Sequence, residues 1–346
     1  MRRGTFKLSC KLFFIVFIAF FVSTSPVRAQ QYSANEVYQF LTLPYSAKAT
    51  ALGGINISNL GSDLGLAMYN PGLLDPSMDK MLHLSVKSYF SDIKQYDFSG
   101  AHYIPKKNWV LGWGLHYMGY GNIKMTDVSG NEMGNFIAND YVAEVSMASA
   151  FKKNINLGAT LKLIQSNYGI YKSTGLAMDL SMVYTSTNRL LRASILANNV
   201  GGQLSSYTEK ERLPLNIIMG VSKKLESAPI QFSFTAQRLS IWNNTLYDPG
   251  FYNAQGYKTP SAVQDIFNHI IIGAEANVGE QVSLDFGYNF LRRFDLNIQN
   301  QQNWFNGFSA GLSFKLPRVT IQYGNAFFQR NLYHHFSIFY SLKNAR

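Results

Sequence analysis

From Lys80 to the carboxyl end, apolar and polar residues alternate one by one, and this period of two decides what the chain can become. Successive side chains on a strand point to opposite faces, so strict alternation makes a sheet with one apolar and one polar face. Ile230, Phe232, Phe234 and Ala236 share one face, with Gln231, Ser233, Thr235 and Gln237 on the other. Val282, Leu284, Phe286, Tyr288 and Phe290 alternate with Ser283, Asp285, Gly287 and Asn289. Phe308, Ala310, Leu312 and Phe314 oppose Ser309, Gly311, Ser313 and Lys315, and Leu332, His334, Phe336, Ile338, Tyr340 and Leu342 line one side of the last stretch. The pattern predicts strands at 80–91, 94–105, 108–120, 139–152, 154–166, 171–186, 189–200, 213–224, 229–241, 268–278, 281–291, 304–315, 318–328 and 332–343. Their even number fits a closed antiparallel barrel, whose strands in a bilayer run about ten residues each.

The connections give a second, independent signal. Every other one is short: 106–107, 152–154, 187–188, 224–229, 278–281 and 316–318. The long ones, 121–138, 201–212, 242–267 and 292–303, all fall at the opposite end. Outer-membrane barrels place short turns in the periplasm and long loops outside. Trp109, Trp242 and Trp304 lie near predicted strand ends, where interfacial aromatic girdles belong.

Composition agrees. Aromatic residues make up 14% of the chain, with 21 Tyr and 25 Phe, and charged residues only 15%, against about 25% charged in a soluble domain. No apolar run after residue 29 approaches the roughly 18 residues of a membrane-spanning helix. These features predict an all-β, 14-stranded antiparallel transmembrane barrel of the outer membrane, in a Gram-negative envelope.

The first 29 residues read as a secretory signal. Arg2, Arg3, Lys7 and Lys11 precede the apolar run Leu12–Val22, and small residues near Ala29 place cleavage before Gln30. Cys10, the one cysteine, leaves with it, so no disulfide or thiol chemistry is expected. Five of the 31 basic residues precede Gln30, leaving 26 against 20 acidic ones, too mild and scattered for nucleic-acid binding.

Residues 30–79 do not alternate and form a distinct N-terminal segment ahead of the barrel, 80–346. The stretch from Ser46 to Ser58 is built of small residues around Gly53 and Gly54, and Asn70-Pro71-Gly72 reads as a turn. A barrel of this size is too wide for its own side chains to fill, so the segment is expected as a plug in the lumen. Gly53 and Gly54 would allow close approach to the wall.

The residues Phe40–Ser58 and Leu66–Leu74 resemble the N-terminal signature of the PorV/PorQ group within the FadL-like barrels, and sit nearest its PorQ branch. Gly72 departs from the Asn-Pro-Ala frequent at that turn in FadL-like transporters. The resemblance implies a non-enzymatic outer-membrane component of the type IX secretion system, in a Bacteroidota-type envelope. Such a component anchors a PorZ-like surface protein in the complex that attaches cargo to lipopolysaccharide. Its partners would be that protein, outer-membrane lipid and lipopolysaccharide. The fold alone leaves a second reading, a FadL-like transporter of hydrophobic solutes.

No catalytic, cofactor or metal site is expected. The six histidines, His83, His102, His116, His269, His334 and His335, are scattered over separate strands without a linked Ser or Asp motif. Ser91-Asp92-Ile93-Lys94 matches a penicillin-binding-protein motif in letters only, since it bridges two strands. The loop 242–267 carries Trp242, Tyr247, Phe251, Tyr252, Tyr257 and Phe267. Aromatic anchors dominate protein interfaces, so this loop, helped by 121–138, is the expected partner-binding surface.

Overall fold

Alternation becomes a wall. In the computed structural model, which describes residues 36–241, 261–296, 303–328 and 331–343, the described residues hold fourteen strands closed into one antiparallel barrel. The strands are β1 Met81–Ser88, β2 Lys94–Ile104, β3 Trp109–Thr126, β4 Glu132–Lys152, β5 Ile155–Tyr168, β6 Tyr171–Thr185 and β7 Leu191–Ser205. The second half is β8 Asn216–Lys224, β9 Ile230–Ala236, β10 Ile270–Val278, β11 Val282–Asn289, β12 Phe308–Lys315, β13 Val319–Phe328 and β14 Asn331–Ser341. Each pairs with its sequence neighbours, and β1 closes on β14 from Met81↔Ser341 to Ser88↔His334.

The two faces sort as the period of two requires. On β9, Phe232 and Phe234 are 49% and 43% exposed while Gln231, Ser233 and Thr235 are buried. The exposed row continues through Phe286, Phe314, Phe336 and Ile338. A soluble protein rarely tolerates a contiguous apolar surface of this extent, whereas hydrocarbon accommodates it, and in the closed ladder every strand pairs on both sides. The inward face is polar and buried: Ser85, Ser99, Ser146, Ser194, Ser222, Ser309 and Ser337 all lie there.

Four predicted boundaries move. The expected loop 121–138 is mostly strand: β3 runs to Thr126 and β4 starts at Glu132, joined by a turn in which the Asp127 carboxylate accepts from the amides of Ser129 (2.9 Å) and Asn131 (2.8 Å). Above Gly119 and Ala138 this hairpin has no neighbouring strand, so both faces are wet and no alternation marks it. Likewise β7 extends to Ser205 into the expected loop 201–212. In the expected loop 292–303, a short helix begins at Phe290 and runs to Leu296, and β12 starts only at Phe308, so Trp304 stands outside the strand. The loop 242–267 ends in a second helix, Ala262–Asn268.

The buried apolar core sits inside the barrel and not within its wall. Leu41, Leu52, Ile57, Leu64, Leu66, Met68, Leu74 and Met78 are almost fully buried, and all belong to residues 36–80. This segment forms two short helices, α1 (Ala47–Ala51) and α2 (Leu64–Tyr69), linked by turns. We number the outer helices α3 (Ala262–Asn268) and α4 (Phe290–Leu296). Ser46 caps α1 by accepting from the Ala49 amide, and Asp63 caps α2 by accepting from the Leu66 amide. Helices this short are not stable alone and depend on the packing around them.

Candidate functional site

The segment enters at one end and is tied to the wall along its whole course. Glu36 bridges Arg212 in the β7–β8 connection, where Val37 donates to the Arg212 carbonyl at 2.9 Å. Leu41 packs with Val142, Ile164, Ala177 and Leu213. Further along, the Tyr45 carbonyl accepts from Ser85 and the Pro44 carbonyl from Gln95, while the Ala47 amide donates to Ser337. Asn56 donates to Ser233, Ser58 pairs with Ser222, and Asn59 donates to Glu275. Gln322 donates to Asp63. Strands on every side of the lumen therefore contribute a partner.

The small-residue motif explains the closeness of the fit. Gly53 and Gly54 have φ of +100° and +107°, a region that favours glycine. A Cβ on Gly53 would lie 2.4 Å from Ile271 Cγ2, and one on the facing wall residue Gly287 would lie 2.2 Å from the Gly53 nitrogen. The Gly53 carbonyl accepts from Asn289 at 3.0 Å and from Arg292 at 2.9 Å. At the turn, Asn70 donates to the Ile57 carbonyl and to Ser194, and accepts from the Gly72 amide, which also donates to Ser181. Pro71 opens a short 3-10 turn. Gly158 of β5 faces this turn so closely that a Cβ would lie 2.3 Å from the Gly72 nitrogen.

Charge is buried with the segment. Lys48 of α1 reaches Glu275 of β10 at 3.0 Å and Asp285 of β11 at 3.9 Å. Lys162 of β5 meets Asp179 of β6 at 2.7 Å with both side chains inaccessible. Three histidines lie on separate strands, as the sequence expects, yet converge. His83, His116 and His335 project into the lumen, and a chain of contacts runs Thr50–His335–Ser85–Asp97–His116–Glu144. Tyr45 stacks on the His116 ring at 3.9 Å. Both His116 nitrogens face carboxylates, Nδ1 that of Asp97 at 2.8 Å and Nε2 that of Glu144 at 3.0 Å. The group unites β1, β2, β3, β4 and β14, and barrel closure assembles it; inward position on alternating strands was the signal available in the sequence. His102 lies outside this group, beside Asp79 at the periplasmic end. There burial raises the Asp79 pKa, but the Tyr103 amide, Lys343 and His102 outweigh it and leave the carboxyl below its ordinary value.

At the outer mouth two cations meet aromatic rings: Lys87 over Tyr89 at 4.7 Å and Arg292 of α4 over Phe328 at 5.0 Å. Burial pushes the Arg292 guanidinium down to about 10, so it remains charged at neutral pH. The wall itself is interrupted on this side. Asn199 of β7 takes φ +60° and gives its amide to the Asp179 carboxylate, and the β6–β7 register shifts there. Beyond Asn198↔Asn216, β7 has no ladder partner in β8. Of the expected partner-binding residues, Trp242, Tyr247, Phe251, Tyr252 and Tyr257 lie outside the described residues, as does the expected signal 1–29. Phe267 lies in α3.

An outward apolar belt, a closed ladder and loop lengths segregated to one end define an integral outer-membrane β-barrel. No protein-family model and no curated protein matches the chain. Among solved structures its fold is similar to that of the CymD monoaromatic hydrocarbon channel, with a TM-score of 0.56 and 14% identity, covering 88% of this chain and 99% of that one. It is similar to the toluene transporter TodX of Pseudomonas putida, with a TM-score of 0.54 and 12% identity over 86% of this chain and 96% of that one. A FadL homologue of Pseudomonas aeruginosa matches with a TM-score of 0.50 and 8% identity over 86% and 98%. At these identities the likeness is one of fold.

Proposed function

We propose that this barrel is a membrane anchor for a surface protein and not a conduit: a PorQ-like component of the type IX secretion system that holds a PorZ-like partner at the cell surface. The observation that carries this reading is the occupied lumen. Residues 36–80 bond to β1, β2 and β6 through β14, bury an ion pair and place Gly53 against Gly287 at a spacing with no room for a methyl group. A solute path straight through the lumen would have to break these contacts. The resemblance of Phe40–Leu74 to the PorV/PorQ signature supplies the secretion system, and the β3–β4 hairpin rising past its neighbours supplies a surface for the partner.

A second reading, passage of small apolar solutes, is favoured by the break between β7 and β8 and by the likeness to barrels described as a toluene transporter and a monoaromatic hydrocarbon channel. Reconstitution separates the two. The anchor reading expects no steady conductance in planar bilayers and no accelerated toluene entry into proteoliposomes. Saturable toluene entry that is lost when the β7–β8 gap is cross-linked would replace it with the transport reading.

A further inference from the structure

The exposed charges of this barrel are sorted by end. At the outer end they mix in sign along the chain. Lys124 pairs with Glu132, Lys210 stands between Glu209 and Glu211, and Asp92 lies two residues before Lys94. The periplasmic end is different. Lys106 and Lys107 lie at the β2–β3 turn, Lys152 and Lys153 at the β4–β5 turn, and Arg189 at the β6–β7 turn. Lys223 and Lys224 end β8, and Lys315 and Arg318 lie at the β12–β13 turn. All of these side chains are exposed. Glu226 and Glu280 are the acids of the same turns, and only the β10–β11 turn lacks a cation. Among the described residues no carboxylate lies within 4.0 Å of any cation of these turns. Asp79, at the same end, is already engaged by Lys343 at 3.5 Å and His102 at 3.1 Å.

The ladder sets these turns side by side around one end of the barrel, so their cations form a ring. Lys107 lies over Trp109 at 4.6 Å and Lys152 over Phe151 at 5.8 Å. Both aromatics stand at strand ends, where an interfacial girdle belongs, and they set the ring at the membrane surface. Protein interfaces lean on aromatic anchors, and none of the six turns holds an aromatic residue. A ring of separate cations in one plane suits instead an extended polyanion lying parallel to the membrane.

We propose that this periplasmic rim binds peptidoglycan, through the carboxylates of its stem peptides. In an outer-membrane barrel this end faces the cell wall, a mesh of glycan strands whose peptides carry carboxylates at repeating intervals. One exposed contact is weak, but several in one plane act together. The contact is separate from the partner-holding role at the outer surface and stands on its own geometry.

Co-sedimentation of the barrel, in mild detergent, with sacculi stripped of protein by hot detergent and protease tests it. The wild type should sediment, and rising salt should release it. The combined variant Lys106→Gln, Lys107→Gln, Lys152→Gln, Lys153→Gln should bind about tenfold more weakly. A second variant, Lys94→Gln, Lys172→Gln, Lys210→Gln, Arg212→Gln, removes as many cations from the outer end and should bind as the wild type does. Sacculi whose carboxylates have been amidated should bind none of the three. Barrel mobility on unheated gels confirms that both variants fold. A wild type that stays in solution, equal loss in the two variants, or equal binding to amidated sacculi would overturn the assignment. So would unchanged sacculus binding by the turn variant together with loss of co-purifying anionic phospholipid, which would give the ring to lipid headgroups.

Discussion

Lys48 is the residue on which the lumen segment's electrostatics turn. It is 7% exposed, and it faces two carboxylates from adjacent strands. Removing one partner of a buried ion pair leaves uncompensated charge and costs about 3–5 kcal/mol. Lys48→Met should therefore lower the unfolding midpoint in urea clearly, and pairing it with Glu275→Gln should recover part of the loss. Gly53→Ala meets both a φ of +100° and a 2.4 Å approach to Ile271, so it should reduce the yield of folded barrel. On β9, an arginine at outward Phe234 faces the bilayer core and costs about 2–4 kcal/mol. A water-filled lumen would tolerate arginine at Thr235, but Thr235 is 1% exposed. Both variants should fail assembly assays, Phe234→Arg for desolvation and Thr235→Arg for want of room.

At the scale of elements, the alternating strands were legible because a lipid face and a packed lumen impose burial at period two. Each of β1–β14 overlaps the stretch where the alternation placed it, although the ends of β3, β4, β7 and β9 lie five to seven residues away. What the pattern missed shares a physical cause. The β3–β4 hairpin above Gly119 is wet on both faces, and α3 and α4 are too short to show a helical period. The lumen contacts were hidden for another reason. His83, His116 and His335 come together only once β14 meets β1, and no local spacing encodes that closure. Residues 124–135 of the hairpin pair only with one another. Their deletion should leave heat-dependent gel mobility and membrane insertion intact. Cysteines at Ala49 and Ile55, both buried in the lumen segment, should resist a bulky thiol reagent on intact cells, with a surface cysteine at Ser129 labelling quickly as reference.

The whole molecule is a wall with its core on the inside. Most outward area is apolar for the bilayer, the inner face is serine-rich, and a segment of the chain supplies the packing that a sheet of this circumference cannot supply to itself. A barrel so filled offers rigidity and an outer rim, which are the properties an anchor needs. The most direct test is affinity purification of the native protein from outer membranes in mild detergent, with every co-purifying chain identified, beside a variant lacking Tyr247–Lys258. The anchor account predicts that a surface-exposed secretion-system protein co-purifies in near-equal amount with the wild type, and that a correctly inserted deletion variant releases it from the cell surface. A wild-type barrel that purifies alone, from membranes in which the secretion machinery is present, would contradict the account.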